Sequence, residues 1–236
     1  MTNMKRVIAS EAKQSRGSRR FWIASSLTLL AMTATPAHAQ TATQQPIPDD
    51  VWAQMQGRSW RPGLGCPGRE ALVLLRVPYR DFAGQTRTGA LIVAASVSNQ
   101  VAAAFAQMLQ SGFRIARMEP VDAYDGDDDR SMAANNTSAF NCRAVEGTNR
   151  LSAHAFGLAV DINPVQNPYV RGTETAPPAG RAYDTPDKRR AAQARGEPGL
   201  VTPGDGTVRA FKAQGWRWGG DWRFEKDYQH FDAGRR

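Results

Sequence analysis

Residues 71–113 read ALVLLRVPYRDFAGQTRTGALIVAASVSNQVAAAFAQMLQSGF, and this stretch decides the fold class. The segments 71–79 and 90–95 are apolar and rich in β-branched residues, and a polar, glycine-containing stretch separates them, so we expect a β-hairpin. Beyond the hairpin, apolar residues recur at helical spacing at Val97, Val101, Phe105 and Met108. This pattern predicts a core helix that ends at Gly112. A hairpin followed by a core helix indicates an α+β domain.

Two further helices are predicted towards the C-terminus. The sequence Thr185-Pro186-Asp187 is a favourable helix start, and the helix should run through Arg195. Residues 208–216 resemble a last amphipathic helix that ends at Gly215. We therefore expect one α+β domain in which a small antiparallel sheet is flanked by helices and long loops.

The first 39 residues have the pattern of an export signal. They contain six basic residues and a single acid, and they continue into an apolar run from Phe21 to about Ala37 and the sequence Ala37-His38-Ala39. These three features define a secretory signal, so we expect cleavage after Ala39, a periplasmic location and no stable membrane insertion of the mature chain. The alternative is a retained membrane anchor, because about 17 apolar residues could just span a thin bilayer.

The export signal also explains most of the excess positive charge. The whole chain of 236 residues has a net charge of +8, which by itself would suggest a nucleic-acid or membrane-surface partner. Six of the 30 basic residues and one of the 22 acidic residues precede residue 40, so the mature chain carries only +3. We therefore expect no nucleic-acid partner.

Two cysteines, Cys66 and Cys142, would mature in an oxidising compartment. An even pair in that setting predicts a disulfide bond between them, and the alternative is two free thiols.

Residues 40–60 begin with the polar, proline-containing segment QTATQQPIPDD and predict a flexible linker before a domain at residues 61–236. The aspartates within residues 122–129 lack the distal glutamate of a helix-loop-helix calcium site, so we expect them to cap helices or stabilise a loop.

Signal cleavage leaves His154 and His230 as the only histidines, and each lies near an aspartate. Asp161 follows His154 across a segment in which Gly157 predicts a turn and LAVDI a strand, so the two side chains could converge. Asp227 lies three residues before His230. Two imidazoles and one carboxylate are three ligands for a tetrahedral zinc ion with a fourth position for water, and a further carboxylate can act as general base.

Both histidine segments also resemble a known peptidase family. SAHAFGLAVDIN at residues 152–163 is similar to the S-x-H-x-x-G-x-A-x-D motif of zinc D-alanyl-D-alanine carboxypeptidases and L-alanyl-D-glutamate endopeptidases. WGGDW followed by DYQHF resembles the second motif of that family, in which a carboxylate precedes the last zinc-ligating histidine by three residues. The resemblance extends from about Val73 to Phe231 and is strongest to the extensin-like branch.

The resemblance implies a role for each residue of the motifs. His154, Asp161 and His230 would be the zinc ligands. Asp227 would be the catalytic carboxylate, a position at which many carboxypeptidase members have glutamate, and Glu225 is the alternative base.

Other residues would support this centre. The resemblance implies that Arg143 holds the substrate or stabilises the oxyanion, with a purely structural arginine as the alternative. Ser152 would support the site by hydrogen bonding. Trp218, Trp222 and Phe231 are expected to pack around the second motif rather than contact substrate.

These observations predict a secreted zinc peptidase, acting as a monomer on the stem peptides of peptidoglycan. The alternative is a non-catalytic, zinc-containing module that binds the cell wall. The sequence leaves open whether the enzyme would be a carboxypeptidase or an endopeptidase.

Overall fold

A computed structural model of the protein describes residues 41–234. The α-helices are α1 (Asp49–Met55), α2 (Ser98–Ser111), α3 (Asp128–Ala133), α4 (Pro186–Ala194) and α5 (Gly206–Ala213). The strands are β1 (Thr43–Pro46), β2 (Leu72–Arg80), β3 (Thr86–Ala94), β4 (Arg117–Met118), β5 (Asn136–Thr137), β6 (Ala159–Asp161), β7 (Tyr169–Arg171), β8 (Glu174–Ala176), β9 (Arg217–Trp218), β10 (Lys226–Asp227) and β11 (His230–Asp232). Short 3-10 helices span Arg69–Ala71, Ala95–Val97, Val121–Tyr124, His154–Phe156, Pro178–Ala182 and Gly219–Asp221.

The strands of the described residues form three small antiparallel sheets and one parallel pair. The sheets have the strand orders β1-β2-β3, β10-β7-β8 and β6-β11-β9, and β4 pairs with β5 in parallel. This arrangement of helices and small antiparallel sheets confirms the α+β class predicted from the sequence.

The predicted hairpin and core helix are both present. Strands β2 and β3 pair over nine residues, from Leu72 opposite Ala94 to Arg80 opposite Thr86. Helix α2 contacts β2 and α5 and buries its apolar stripe, and Gly112 adopts the left-handed conformation just after its last residue. A glycine accepts this conformation without the steric penalty of a Cβ, which explains why the helix ends there.

The two C-terminal helices occur where the sequence predicted them. The side chain of Thr185 accepts a hydrogen bond from the backbone nitrogen of Lys188 and caps α4. Helix α5 begins at Gly206, slightly before the predicted start, because Asp205 caps it by accepting a hydrogen bond from the backbone nitrogen of Val208. Its buried face adds Phe211 to the main core.

The expectation of a flexible linker at residues 40–60 is wrong for the part that the structure describes. Strand β1 pairs with β2, with Thr43 opposite Arg76, and α1 follows it directly. All four residues of β1 are exposed, because an edge strand is held by backbone hydrogen bonds that need no apolar side-chain pattern. Ile47 and Met55 are fully buried and hold the segment on the domain.

A second, smaller core surrounds the disulfide bond. Cys66 and Cys142 are joined, with their Cα atoms 5.9 Å apart. The buried members of this core are Ile47, Met55, Leu72, Leu74, Ile92, Phe140 and Cys142. The bond therefore ties the N-terminal segments to the middle of the chain.

The predicted export signal, residues 1–39, lies outside the described residues. Within residues 41–234, no helix combines the length and the apolar character needed to cross a membrane.

Replacing both cysteines by alanine should lower the free energy of unfolding by about 4 kcal/mol, because a cross-link over a long loop restricts the unfolded chain. The disulfide bond closes such a loop, because Cys66 and Cys142 are 76 positions apart in the sequence. Urea unfolding of the wild type and the double variant measures the difference, and reduced wild-type protein serves as the control that should match the variant. An unchanged transition midpoint, or two free thiols in denatured, unreduced wild-type protein, would contradict this prediction.

Candidate metal centre

His154 lies in a 3-10 turn directly before strand β6. Gly157 ends the turn with a φ of 66°, a left-handed conformation that favours glycine. A Cβ at this position would lie 2.5 Å from the backbone nitrogen of Ala94, and the Gly157 carbonyl accepts a hydrogen bond from that same nitrogen. The turn and the strand that the sequence predicted here are both present, and they bring His154 back towards Asp161.

The pairing of β6 with β11 brings the second motif to the first. These strands are antiparallel, and their register puts His230 directly opposite Asp161. Directly opposite residues of an antiparallel pair project from the same face of the sheet. Strand β9 pairs with the other edge of β11, with Trp218 opposite Phe231.

His154, Asp161 and His230 form a buried cluster whose potential ligand atoms all lie within 4.8 Å of one another. His154 Nε2 is 3.1 Å from His230 Nδ1 and 3.1 Å from Asp161 Oδ2. His230 Nδ1 is also 3.1 Å from Asp161 Oδ1. The three residues are only 3%, 7% and 8% exposed, respectively.

Each imidazole is oriented by a partner outside the cluster. His154 Nδ1 donates to the carbonyl of Ala139 at 2.5 Å, which leaves the lone pair of Nε2 directed at the other two residues. On the far side of the His230 ring, Nε2 lies 3.6 Å from Asp232 Oδ2. Asp232 Oδ1 accepts hydrogen bonds from Arg217 and from the backbone nitrogen of Gly234. Such outer partners fix the ring orientation of metal-ligating histidines.

The sequence analysis missed Asp232 and the Ala139 carbonyl. Asp232 carried a usable signal, because it lies two residues after His230 on one strand and therefore projects from the same face. Nothing in the local sequence marks the Ala139 carbonyl, which meets His154 only through the tertiary fold.

The electrostatics of the cluster favour a positive charge beside Asp161. Burial alone would raise the pKa of Asp161, but His154 and His230 hold it far below its usual range. Burial alone would likewise lower the pKa of His230, but its hydrogen bonds to Asp161 and Asp232 raise it to about 10. The pKa of Asp232 is lowered to about 2, since the interactions with His230 and Arg217 outweigh burial.

The donor set fits a zinc ion. Zinc accepts a mixture of imidazole and carboxylate ligands, whereas magnesium and calcium prefer oxygen ligands alone. With metal–ligand distances of about 2.0–2.1 Å, the ligand atoms of a tetrahedral zinc are about 3.3 Å apart. The two imidazole nitrogens are 3.1 Å apart, close to this value, and each lies 3.1 Å from a different oxygen of Asp161. Three protein ligands with one open position are typical of catalytic zinc sites.

Asp227 lies next to the cluster on strand β10, opposite Tyr169 of β7. Its Oδ1 atom is buried and has no hydrogen-bond partner among the described residues. Burial raises the pKa of Asp227 to about 7, with a further increase from the charge of Asp161 and a decrease from that of His230. A carboxyl group with a pKa near neutrality can both accept and donate a proton.

The backbone beside Asp227 requires glycine. A Cβ on Gly219 would lie 2.5 Å from the carbonyl oxygen of Asp227.

The alternative base, Glu225, accepts a hydrogen bond from the hydroxyl of Tyr169 at 3.1 Å. Glu225 thus has a protein partner, and the buried Oδ1 of Asp227 has none.

Arg143 and Ser152 lie beside the first motif. The Ser152 backbone nitrogen donates to the Arg143 carbonyl at 3.1 Å, and the Ser152 hydroxyl accepts from the His154 backbone nitrogen at 3.3 Å. The positive charge of Arg143 also lowers the pKa of Asp227.

The aromatic residues of the second motif pack as the sequence analysis expected. Trp218 and Phe231 are buried and stack on each other, and Phe231 also stacks on Phe211 of α5. Trp222 is half-buried, with its ring centroid 5.4 Å from that of His230. Trp218 and Phe231 hold β9 and β11 together, and Trp222 packs against the His230 ring.

Residues 146–233 match a family model described as D-alanyl-D-alanine carboxypeptidase. The matched span contains the whole cluster and Asp227, and it begins after Arg143. The similarity to this peptidase family thus covers the part of the chain that carries the cluster. Comparisons with curated proteins and with solved structures gave no match.

Substitution of Gly157 by alanine should destabilise the protein more than the same substitution at Gly172. Both glycines have positive φ, but a Cβ on Gly172 meets nothing within 4 Å. The conformation alone costs about 1–2 kcal/mol, and only Gly157→Ala adds a backbone clash. Urea unfolding of the two variants measures the difference, and equal losses would show that the contact with Ala94 is unimportant.

Asp232→Asn should weaken zinc binding by about 10–100-fold, because an outer carboxylate orients the ligating ring and raises its basicity. Arg217→Ala is the control, since it breaks the ion pair with Asp232 but leaves the carboxylate beside His230. Competition with a chromogenic zinc chelator gives the affinities. Equal affinities of Asp232→Asn and wild type would exclude this role for Asp232.

Proposed function

We propose that the chain is a zinc-dependent peptidase that hydrolyses an amide bond in the stem peptides of peptidoglycan. The observation that carries the proposal is the convergence of His154, Asp161 and His230 beside Asp227, whose buried Oδ1 atom has no hydrogen-bond partner among the described residues. The family match over residues 146–233 supports peptidase chemistry at this site.

In this proposal His154, Asp161 and His230 hold the zinc ion, each through the atom that faces the cluster. When bound, zinc supplies a Lewis acid that polarises the scissile carbonyl and makes a water molecule more acidic. Ala139 and Asp232 keep the two imidazoles in the orientation that binding requires. Because the cluster is almost completely buried, its electrostatic interactions are stronger than they would be in water.

Asp227 is the proton carrier of the proposed reaction. As general base it takes a proton from the attacking water, and it then delivers that proton to the nitrogen of the leaving amine. A pKa raised to about 7 suits both steps, because the ionised and protonated forms are then similar in free energy near neutral pH. Asp161, with its lowered pKa, remains ionised beside it.

Arg143 supplies positive charge to the proposed site. A guanidinium group at this position can stabilise the negative charge that develops on the scissile carbonyl oxygen, or hold a carboxylate of the substrate. Ser152 supports both residues, since it bonds to the backbone of Arg143 and of His154.

The sequence motifs support the proposed substrate and location. The predicted signal at residues 1–39 supports cleavage after Ala39 and export to the periplasm. The peptide stems of peptidoglycan are accessible in that compartment. The flanks of both motifs support placement in the extensin-like branch. We propose that the mature protein acts there as a monomer, without nucleic acid or a membrane anchor.

Asp227→Asn should lower kcat by about 10²–10⁴-fold, the usual contribution of general acid–base catalysis, and should leave about one zinc per chain. Glu225→Gln is the matched control, because it neutralises a carboxylate two residues away whose partner is Tyr169. Mass spectrometry of the products from defined muropeptides measures the activity and identifies the bond that is cut.

Metal removal by a chelator should abolish product release, and added zinc should restore it. If zinc-loaded wild-type protein binds purified sacculi but cleaves neither sacculi nor muropeptides, the protein is a wall-binding module and the proposed function is wrong.

A further inference from the structure

Asp122, Asp125, Asp127 and Asp128 each have a partner in the structure. Asp122 accepts a hydrogen bond from the backbone nitrogen of Ser59, and Asp127 caps helix α3. Asp125 pairs with Arg130 at 2.8 Å, and both of these side chains are about 60% exposed. These three aspartates have the capping and loop-stabilising roles that the sequence analysis expected.

Asp128 differs from its neighbours because its partner belongs to the candidate active site. Asp128 Oδ2 is 2.6 Å from Arg143 Nη2, and the two side chains are only 25% and 28% exposed. An ion pair shielded from water holds its geometry more firmly than an exposed one, in which solvent screening and side-chain entropy offset the attraction. Asp128 is also the first residue of α3, so its own position is set by a capped helix.

The remaining donors of Arg143 have weak protein partners or none. Nη1 donates to the carbonyl of Ala144 at a long 3.4 Å. Nε is buried and has no hydrogen-bond partner among the described residues. A buried, unpartnered N–H group is costly, and the Arg143 side chain, still 28% exposed, has donor capacity left for an acceptor that arrives with the substrate.

The backbone of Arg143 is held on both sides, but its side chain is long. The preceding residue, Cys142, is in the disulfide bond and donates its backbone nitrogen to the Ser59 carbonyl at 2.7 Å. The Arg143 carbonyl accepts from Ser152. These contacts fix where the side chain starts. Among the described residues, Asp128 is the only carboxylate that pairs with the guanidinium at its far end.

We propose that Asp128 is a positioning residue, which holds the guanidinium of Arg143 in the candidate active site so that its remaining N–H groups bind an anionic oxygen of the substrate. This inference rests on the proposed function and extends it to a residue outside the segment that matches the family model. The oxygen belongs either to the developing oxyanion or to the C-terminal carboxylate of the peptide.

Asp128→Asn should lower kcat/KM by about 10–100-fold, because small displacements of a positioned group have effects of this size. Asp129→Asn is the matched control: it removes the same charge one residue further along α3, from an exposed side chain, and should leave kcat/KM unchanged. Asp128→Glu, which can still reach Arg143 with a carboxylate, should recover part of the loss. Zinc content and the unfolding midpoint should be the same in the Asp128→Asn and Asp129→Asn proteins.

A double-mutant cycle separates positioning from a general structural role. Arg143→Ala combined with Asp128→Asn should be no less active than Arg143→Ala alone, because Asp128 acts only through Arg143. Additive losses would overturn the proposal, as would wild-type activity in Asp128→Asn.

A comparison of a peptide acid with the corresponding peptide amide identifies the substrate oxygen that Arg143 binds. If Arg143 binds the terminal carboxylate, Asp128→Asn raises KM for the free peptide acid and has little effect on the corresponding peptide amide. If Arg143 binds the oxyanion, the variant lowers kcat for both. If zinc-loaded wild-type protein is inactive, the proposed function is wrong, and the role of Asp128 is wrong with it. If the wild type is active and Asp128→Asn is equally active, only the role of Asp128 is wrong.

Discussion

The register between β6 and β11 is the constraint on which the candidate active site depends. It puts His230 opposite Asp161, and a shift of one residue would turn every side chain of β11 to the other face of the sheet. Two local features support this register. Gly157 makes the turn before β6 possible, and the stacked rings of Trp218 and Phe231 hold β9 against β11.

The two carboxyl groups nearest the cluster have opposite properties because their surroundings differ. Asp161 lies between two imidazoles, which hold its pKa far below the usual range in spite of burial. Asp227 is buried without a hydrogen-bond partner for Oδ1 among the described residues, and its pKa is raised to about 7. Such a separation of two acidic groups is how proteins assign one to charge and the other to proton transfer. These surroundings are the reason for proposing Asp161 as a metal ligand and Asp227 as the base.

The segment before residue 146 completes the site. It lies outside the family match, yet it contains the Ala139 carbonyl that orients His154, and Arg143 with its partner Asp128. The disulfide through Cys142 connects this segment to the second core. The proposed chemistry thus depends on contacts between the segment before residue 146 and the segment that matches the family model.

The sequence alone determined the elements whose signals are local. The spacing of apolar residues predicted β2, β3 and α2, and the scarcity of histidine predicted which residues would meet Asp161. It could not predict contacts between residues that share no local pattern: the sequence of strand β1 has the composition of a linker, because backbone pairing with β2 requires no apolar side chains. In the same way, only the tertiary structure brought Asp128 to Arg143, since the loop path between them is set by the packing of the whole domain. Local periodicity records which face of an element is buried, whereas the identity of a distant partner is decided only when the chain folds.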